Sequence, residues 1–171
     1  NIKKPELIEK IHREYIESGA NLIISNTFMC NIINAKRNNY NLEEVIESGI
    51  HIAKKACGDG GLVALDIGPL SYYLEEDDSS FKEIVYENTE RIINASKDKF
   101  DLVIFETLGS LKEGEFAVKK AKTLTDKPVI CSFTLAGKKD IPNFIKNMVS
   151  TLEPLGVDAL GINCTGYEEI L

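Results

Sequence analysis

Five short apolar runs punctuate this chain, and the stretches between them carry helical spacing. The runs are "NLIISNTF", "LVALDIGP", "DLVIFET", "KPVICSFT" and "DALGINC". None alternates polar with apolar residues. A strand of continuous apolar sequence is one buried on both faces, as in a parallel sheet covered by helices. The stretch "KPELIEKIHREYIESG" puts Leu7, Ile8, Ile11, Tyr15 and Ile16 on one helical face, with Pro5 near its start and Gly19 at its end. "NLEEVIESGIHIAKKACG" has Asn41 as N-cap and Gly58 as stop, with Val45, Ile46, Ile50, Ala53 and Cys57 on one face. "SSFKEIVYENTERIINAS", capped by Ser79 or Ser80, "SLKEGEFAVKKAKTL" and "IPNFIKNMVSTLEPLG" complete the helices. The spacing predicts five strands, near residues 22–27, 62–66, 102–106, 128–134 and 159–163, strictly alternating with five helices. A weak internal echo supports a repeated βα unit. "SGANLIISNTF", "KFDLVIFETLG" and "LGVDALGINCTG" each place Asn or Asp just before an apolar run that ends in polar residues.

Two architectures accommodate this order: a doubly wound open sheet and a (β/α)8 barrel. Every run ends in polar side chains: Asn26 and Thr27, Asp66, Glu106 and Thr107, Ser132 and Thr134, Asn163 and Cys164. In a barrel the C-terminal strand ends converge on one mouth, where active sites sit. In an open sheet only the strands near the switch point need such ends. No GxGxxG follows any run, which disfavours the dinucleotide-binding version. The chain has 171 residues, whereas a full barrel takes about 250. Further strands are therefore expected outside it.

Charge and cysteine usage narrow the function. Net charge is -7 with no basic stripe, which argues against nucleic acid. No apolar run approaches the roughly twenty residues of a membrane-spanning helix, and no secretory signal is visible. The four cysteines, Cys30, Cys57, Cys131 and Cys164, have no CxxC spacing, and all but Cys164 read as free thiols in a reducing, cytoplasmic setting. Cys57 on a helix face and Cys131 inside a strand read as packing; for Cys30, beside the mouth, a ligand role stays open as the less favoured reading. His12 and His51 fall on helices and read as solvated. The run "EEDDSS" reads as a solvated loop.

Four strand-end motifs, "NTF", "DIGP", "FET" and "GINC", occur in that order. Together they resemble the homocysteine S-methyltransferase domain, and most nearly the homocysteine-binding module of cobalamin-dependent methionine synthase. The resemblance spans residues 1–171. It implies a (β/α)8 TIM barrel of which this chain covers about strands 2 to 6, with the first strand and the last two lying outside. It implies zinc held by three cysteines, one matching Cys164 and a pair in a glycine-rich stretch after the last strand. It implies that Glu106 receives the amino group of homocysteine, and that Asn26, Thr27, Asp66 and Asn163 line the same mouth. Cobalamin and methyltetrahydrofolate would then be bound by other domains of a longer protein. Betaine and S-methylmethionine stay open as methyl donors. The expected product is methionine.

The residue types suit that chemistry. The thiolate, not the thiol, is the nucleophile, and zinc bound by thiolates with one open position can hold a substrate sulfur in that form. A buried carboxylate such as Glu106 suits a substrate ammonium, because burial strengthens the pairing. Simpler readings stand beside these: Cys164 as a small buried hydrophobe, Glu106 as a structural ion-pair partner, Asp66 as the holder of the Gly68–Pro69 turn. Two other functions also stay open, a metal-free amino-acid-binding module and an unrelated doubly wound domain. The loops "KKDIPNF" after Ala136 and "NCTGYEEIL" after Cys164 are shorter than the resemblance leads one to expect.

Overall fold

The computed structural model describes residues 1–166. In chain order they form α1 (Pro5–Glu17), β1 (Leu22–Ile24), α2 (Ile32–Asn38), α3 (Leu42–Cys57), β2 (Leu62–Ile67), α4 (Phe81–Ala95), β3 (Leu102–Leu108), α5 (Leu111–Ala121), β4 (Val129–Phe133), α6 (Ile141–Leu152) and β5 (Ala159–Ile162). Short 3-10 turns follow α3 and α6. The alternation is thus not strict. Asn31 accepts a bond from Asn34 N and opens a helix, α2, that the sequence reading did not separate from the loop. α2 is only seven residues long and carries Lys36 and Arg37, so it has little apolar periodicity to read.

The caps act largely as the residues dictate. Pro5 occupies the first turn of α1, where its missing N–H costs nothing. Asn41 accepts from Glu44 N at 3.0 Å, and Glu43–Glu44 and Lys54–Lys55 sit at the ends of α3 that favour their charges. Gly58, at φ 61°, stops the helix. Ser80 stands at the N-cap of α4 but donates its hydroxyl to Asp78 instead of capping.

The five strands make one parallel sheet in the order β1-β2-β3-β4-β5. Among the described residues there is no reversal, so the doubly wound alternative, which requires a switch point, does not hold. The helices pack in a row, α1 on α3, α3 on α4, α4 on α5 and α5 on α6. Ile23, Val63, Leu65, Val103, Phe105, Val129, Cys131 and Phe133 form the buried core beneath that row. The opposite face is different. Leu22, Ile24 and Leu62 are exposed, and Leu102, Ile104 and Ile130 are half-buried. The expectation of strands buried on both faces holds for β2, buried from Val63 to Ile67, and fails for β1, β3 and β5. This is the face that closes on itself when a sheet of this order curls into a barrel.

α1 departs from expectation too. Leu7, Ile11 and Tyr15 are exposed, and the residue it buries is His12. The expectation of a solvated His12 is corrected: its Nε2 has no hydrogen-bond partner, and burial holds its pKa below the usual value. His51 is exposed, as read.

The internal echo has a structural meaning. Asp101, just before β3, accepts Val63 N of β2 at 2.7 Å and the Lys54 ammonium of α3 at 2.5 Å. Asp158, just before β5, accepts Val129 N of β4 at 2.7 Å and Lys122 at 2.8 Å. In each case a carboxylate accepts an amide at the start of the preceding strand and takes a lysine from the helix side. These clamps hold the N-terminal edge of the sheet, opposite the end where its polar side chains collect.

Candidate functional site

The C-terminal strand ends are built from hydroxyls, amides and carboxyls that tie neighbouring strands together. β1 is shorter than expected, ending at Ile24, and residues 25–27 turn across the mouth. Thr27 is fully buried; its hydroxyl donates to the Asp66 carbonyl at 2.7 Å and lies 2.7 Å from Ser25 Oγ. Ser25 Oγ in turn accepts from Asp66 N at 3.1 Å. Thr27 thus latches β1 to β2, and its hydroxyl is occupied. Asn26 is exposed, with its side chain on Asn1 Oδ1 at 3.2 Å.

"DIGP" carries the next turn. A Cβ on Gly68 would come within 2.3 Å of the Phe28 carbonyl oxygen, so only glycine lets the loops after β1 and β2 approach this closely. Beyond it, Leu70 N and Ser71 N donate to the buried Glu113 carboxylate at 2.5 and 3.1 Å. Burial pushes that carboxyl above its usual range despite the two amides. Glu113, which the sequence reading did not single out, fixes the loop that follows "DIGP". Its place three residues after the N-cap Ser110 was the available signal, though there it grips a neighbouring loop rather than its own cap.

β3 bulges between Phe105 and Leu108. Thr107 there has φ 58°, uncommon for a β-branched residue, and Cys164 has φ 48°. Between them stands Asn163. Its Nδ2 donates to Thr107 Oγ1 at 2.7 Å and to Glu106 Oε1 at 3.3 Å, and its Oδ1 accepts from Ser132 Oγ at 2.8 Å. One carboxamide therefore joins the ends of β3, β4 and β5. Cys164 Sγ lies 3.7 Å from both Thr107 Oγ1 and Asn163 Nδ2, and its thiol is exposed. Its carbonyl accepts from Thr134 Oγ1 at 3.0 Å, while Thr165 Oγ1 accepts from Leu135 N at 2.9 Å. Residues 167–171, the remainder of "NCTGYEEIL", lie outside the described residues.

Asp66 and Glu106 complete the mouth. Asp66 is 3% exposed and its Oδ1 has no hydrogen-bond partner. Burial, with the Glu106 carboxyl beside it, pushes its pKa up to about 8. Among the described residues no group of three or more His, Cys, Asp or Glu is placed to hold a metal. Cys164 offers one soft donor on an exposed residue. Cys30, half-buried, has its thiol pushed up to about 11 by burial, which suits packing rather than ligation. It lines a cavity of about 980 Å³ with Asn1, Leu7, Met29 and Tyr40, beside the mouth and not part of it. Cys131 and Cys57 are buried, Cys131 with its thiol pushed up to about 12. No helix among the described residues is long and apolar enough to cross a membrane.

The chain has relatives among known proteins. Methionine synthase from Mycobacterium tuberculosis is 28% identical over 188 residues, covering 99% of this chain and 16% of that protein. Betaine--homocysteine S-methyltransferase 1 from Danio rerio is 25% identical over 167 residues, covering 94% of this chain and 41% of that protein. The chain thus spans well under half the length of these two relatives. Among solved structures, the metallated form of the homocysteine methyltransferase MmuM from Escherichia coli superposes with a TM-score of 0.83 at 24% identity, over 98% of this chain and 66% of that one. That likeness carries the fold, a TIM-barrel arc of sequential parallel strands. The sequence profile of the homocysteine S-methyltransferase family matches residues 1–171, and the chain belongs to that family.

Proposed function

We propose that this chain is the central part of a (β/α)8 domain that binds homocysteine and presents its thiol to a methyl donor, giving methionine. In this reading the first strand and the last two come from outside residues 1–171. The observation that carries it is the Asn163 carboxamide, which brings the Glu106 carboxylate and the Cys164 thiol to one place at the strand ends. Family membership supports methyl transfer to homocysteine as the reaction class.

Each residue then has a task. Glu106, half-buried and held by one amide donor, keeps acceptor capacity for a substrate ammonium. Such a pairing is strong because part of it is shielded from water. Asn163, fixed by Ser132 and Thr107, sets the distance between that carboxylate and the sulfur end of the site. Thr27 and Gly68 hold the β1 and β2 loops against each other, and Asn26 and Asp66 line the same mouth. Zinc fits as a cofactor only in part. Cys164 would be one of its ligands, and the described residues offer no second or third. When bound, zinc would hold a substrate thiol as thiolate. The remaining cysteines are proposed to lie beyond residue 171. The methyl donor is folate by way of cobalamin in the methionine synthase reading, or betaine or S-methylmethionine in the small-donor reading.

The test is made on the full-length protein. Glu106→Gln should weaken homocysteine binding by about 1.5–3 kcal/mol, the scale of a charged hydrogen bond. Metal content should be unchanged, because Glu106 is not a ligand. Equal affinities by titration calorimetry would remove the assignment.

A further inference from the structure

Asp66 is a buried carboxyl at the mouth whose bonding the protein leaves unfinished. It sits opposite Ile104 on the neighbouring strand. Glu106, two residues further along β3, shares the face of Ile104, so the two carboxyls are diagonal neighbours across one strand pair. Asp66 Oδ1 is fully enclosed and unpartnered. We propose that the Asp66–Glu106 pair holds a single proton when the site is empty, and releases it to solvent when the ammonium group of an amino-acid substrate settles against the pair. The inference rests on the amino-acid reading of the site and adds to it a role for Asp66 and a proton linkage.

The surroundings argue for one shared proton. From the β1 end, Ser25 and Thr27 reach the Asp66 backbone, not its carboxyl. From the loop after β1, Cys30 is a neutral thiol that feels the Asp66 charge. From β5, Asn163 brings a neutral amide to Glu106. Among the described residues neither carboxyl forms an ion pair with lysine, arginine or histidine. With no cation beside them, a second negative charge next to Glu106 is disfavoured, and burial places the proton on Asp66. The elevated pKa of Asp66, about 8, agrees with this geometry. An arriving ammonium supplies the missing positive charge. The Asp66 O–H bond then breaks, the proton leaves to water, and both carboxylates accept from the ammonium. The pair carries one negative charge when empty, and pair plus ammonium carry one when loaded, so charge balances and no electrons move.

The probe is L-methionine, because its thioether has no proton to lose and cannot mimic the signal. Binding to the full-length protein is followed by titration calorimetry at pH 7 in buffers of differing ionisation enthalpy. The expected result is release of about one proton per ligand bound. Affinity should also rise nearly tenfold per pH unit up to about pH 8, where Asp66 of the empty site itself ionises. Asp66→Asn should still bind through Glu106, with proton release abolished and a flat pH profile over that range. Binding without proton release, or release undiminished in Asp66→Asn, would overturn the inference and leave the amino-acid reading standing. If neither methionine nor homocysteine binds, that reading falls and this inference falls with it. Should Asp66→Asn not fold, the pH series on the unaltered protein decides alone.

Discussion

Replacing Asn163 by alanine removes a side chain that three strands share. The loss can be sized from its bonds. Those to Thr107 Oγ1 and Ser132 Oγ, at 2.7 and 2.8 Å, are short neutral bonds to residues that are 5% and 8% exposed. Each such bond contributes about 1 kcal/mol net, and a buried hydroxyl left unpaired costs about that again. The contact to Glu106, at 3.3 Å on a half-buried carboxylate, adds less. Water reaches Asn163 itself, which is only half-buried, and recovers part of the loss. The expected destabilisation is about 2–3 kcal/mol, read as a lowered urea midpoint with an unchanged slope. Asn163→Asp separates the partners. Its carboxylate can still accept from Ser132 and Thr107, but it offers no donor to Glu106 and repels it. It should retain more stability than the alanine variant while binding homocysteine worse. A shift below about 0.5 kcal/mol for Asn163→Ala would mean that the carboxamide is a bystander, and the view of the mouth as one bonded unit would be wrong.

Three further outcomes follow from the geometry. Gly68→Ala forces a Cβ within 2.3 Å of the Phe28 carbonyl; a loss of at least about 1–3 kcal/mol in thermal or urea unfolding is expected, and unchanged stability would show that the two loops part freely. Asp158→Ala leaves Val129 N and Lys122 without their carboxylate; a cost of about 1–3 kcal/mol is expected, and Asp158→Asn, which still accepts from the amide, should recover part of it. His12 is held neutral by burial, so its folded pKa lies below the unfolded value of about 6.5. The unfolded chain then binds more protons, and stability should fall as pH drops below about 6.5. His12→Gln should flatten that dependence in urea midpoints measured from pH 7.5 to 5.

Much of the fold was legible because two periodicities dominate it. Helix ends announced themselves through Asn41 and Gly58, whose roles are local. The sequential strand order followed from regular βα spacing. What stayed hidden depends on contacts distant in sequence. α1 shows an apolar stripe, yet Leu7, Ile11 and Tyr15 stay exposed and His12 is buried, because which stripe is covered depends on α3 and not on α1. The last residues expected in β1 leave the sheet because Ser25 and Thr27 bond side chain to backbone across to β2. The left-handed backbone of Thr107 has no sequence signal at all: threonine disfavours it, and the Asn163 and Cys164 contacts accompany it. At the site, strand ends pointed to Glu106, Asp66, Asn163 and Cys164 as residues. The pairing of Asp66 with Glu106 needed the register of β2 on β3, which the apolar pattern alone does not fix.

Because each described strand pairs with its neighbours in sequence, the sheet has a natural order of assembly. The edge that β3 needs is complete once β2 has formed, and the edge for β4 once β3 has. From β2 onward each step closes a loop of one α-helix and its connections, and β1 to β2 spans two, so the entropy of closure is met in small increments rather than in one long-range encounter. A chain emerging from the ribosome can therefore dock one βα unit at a time onto a finished template.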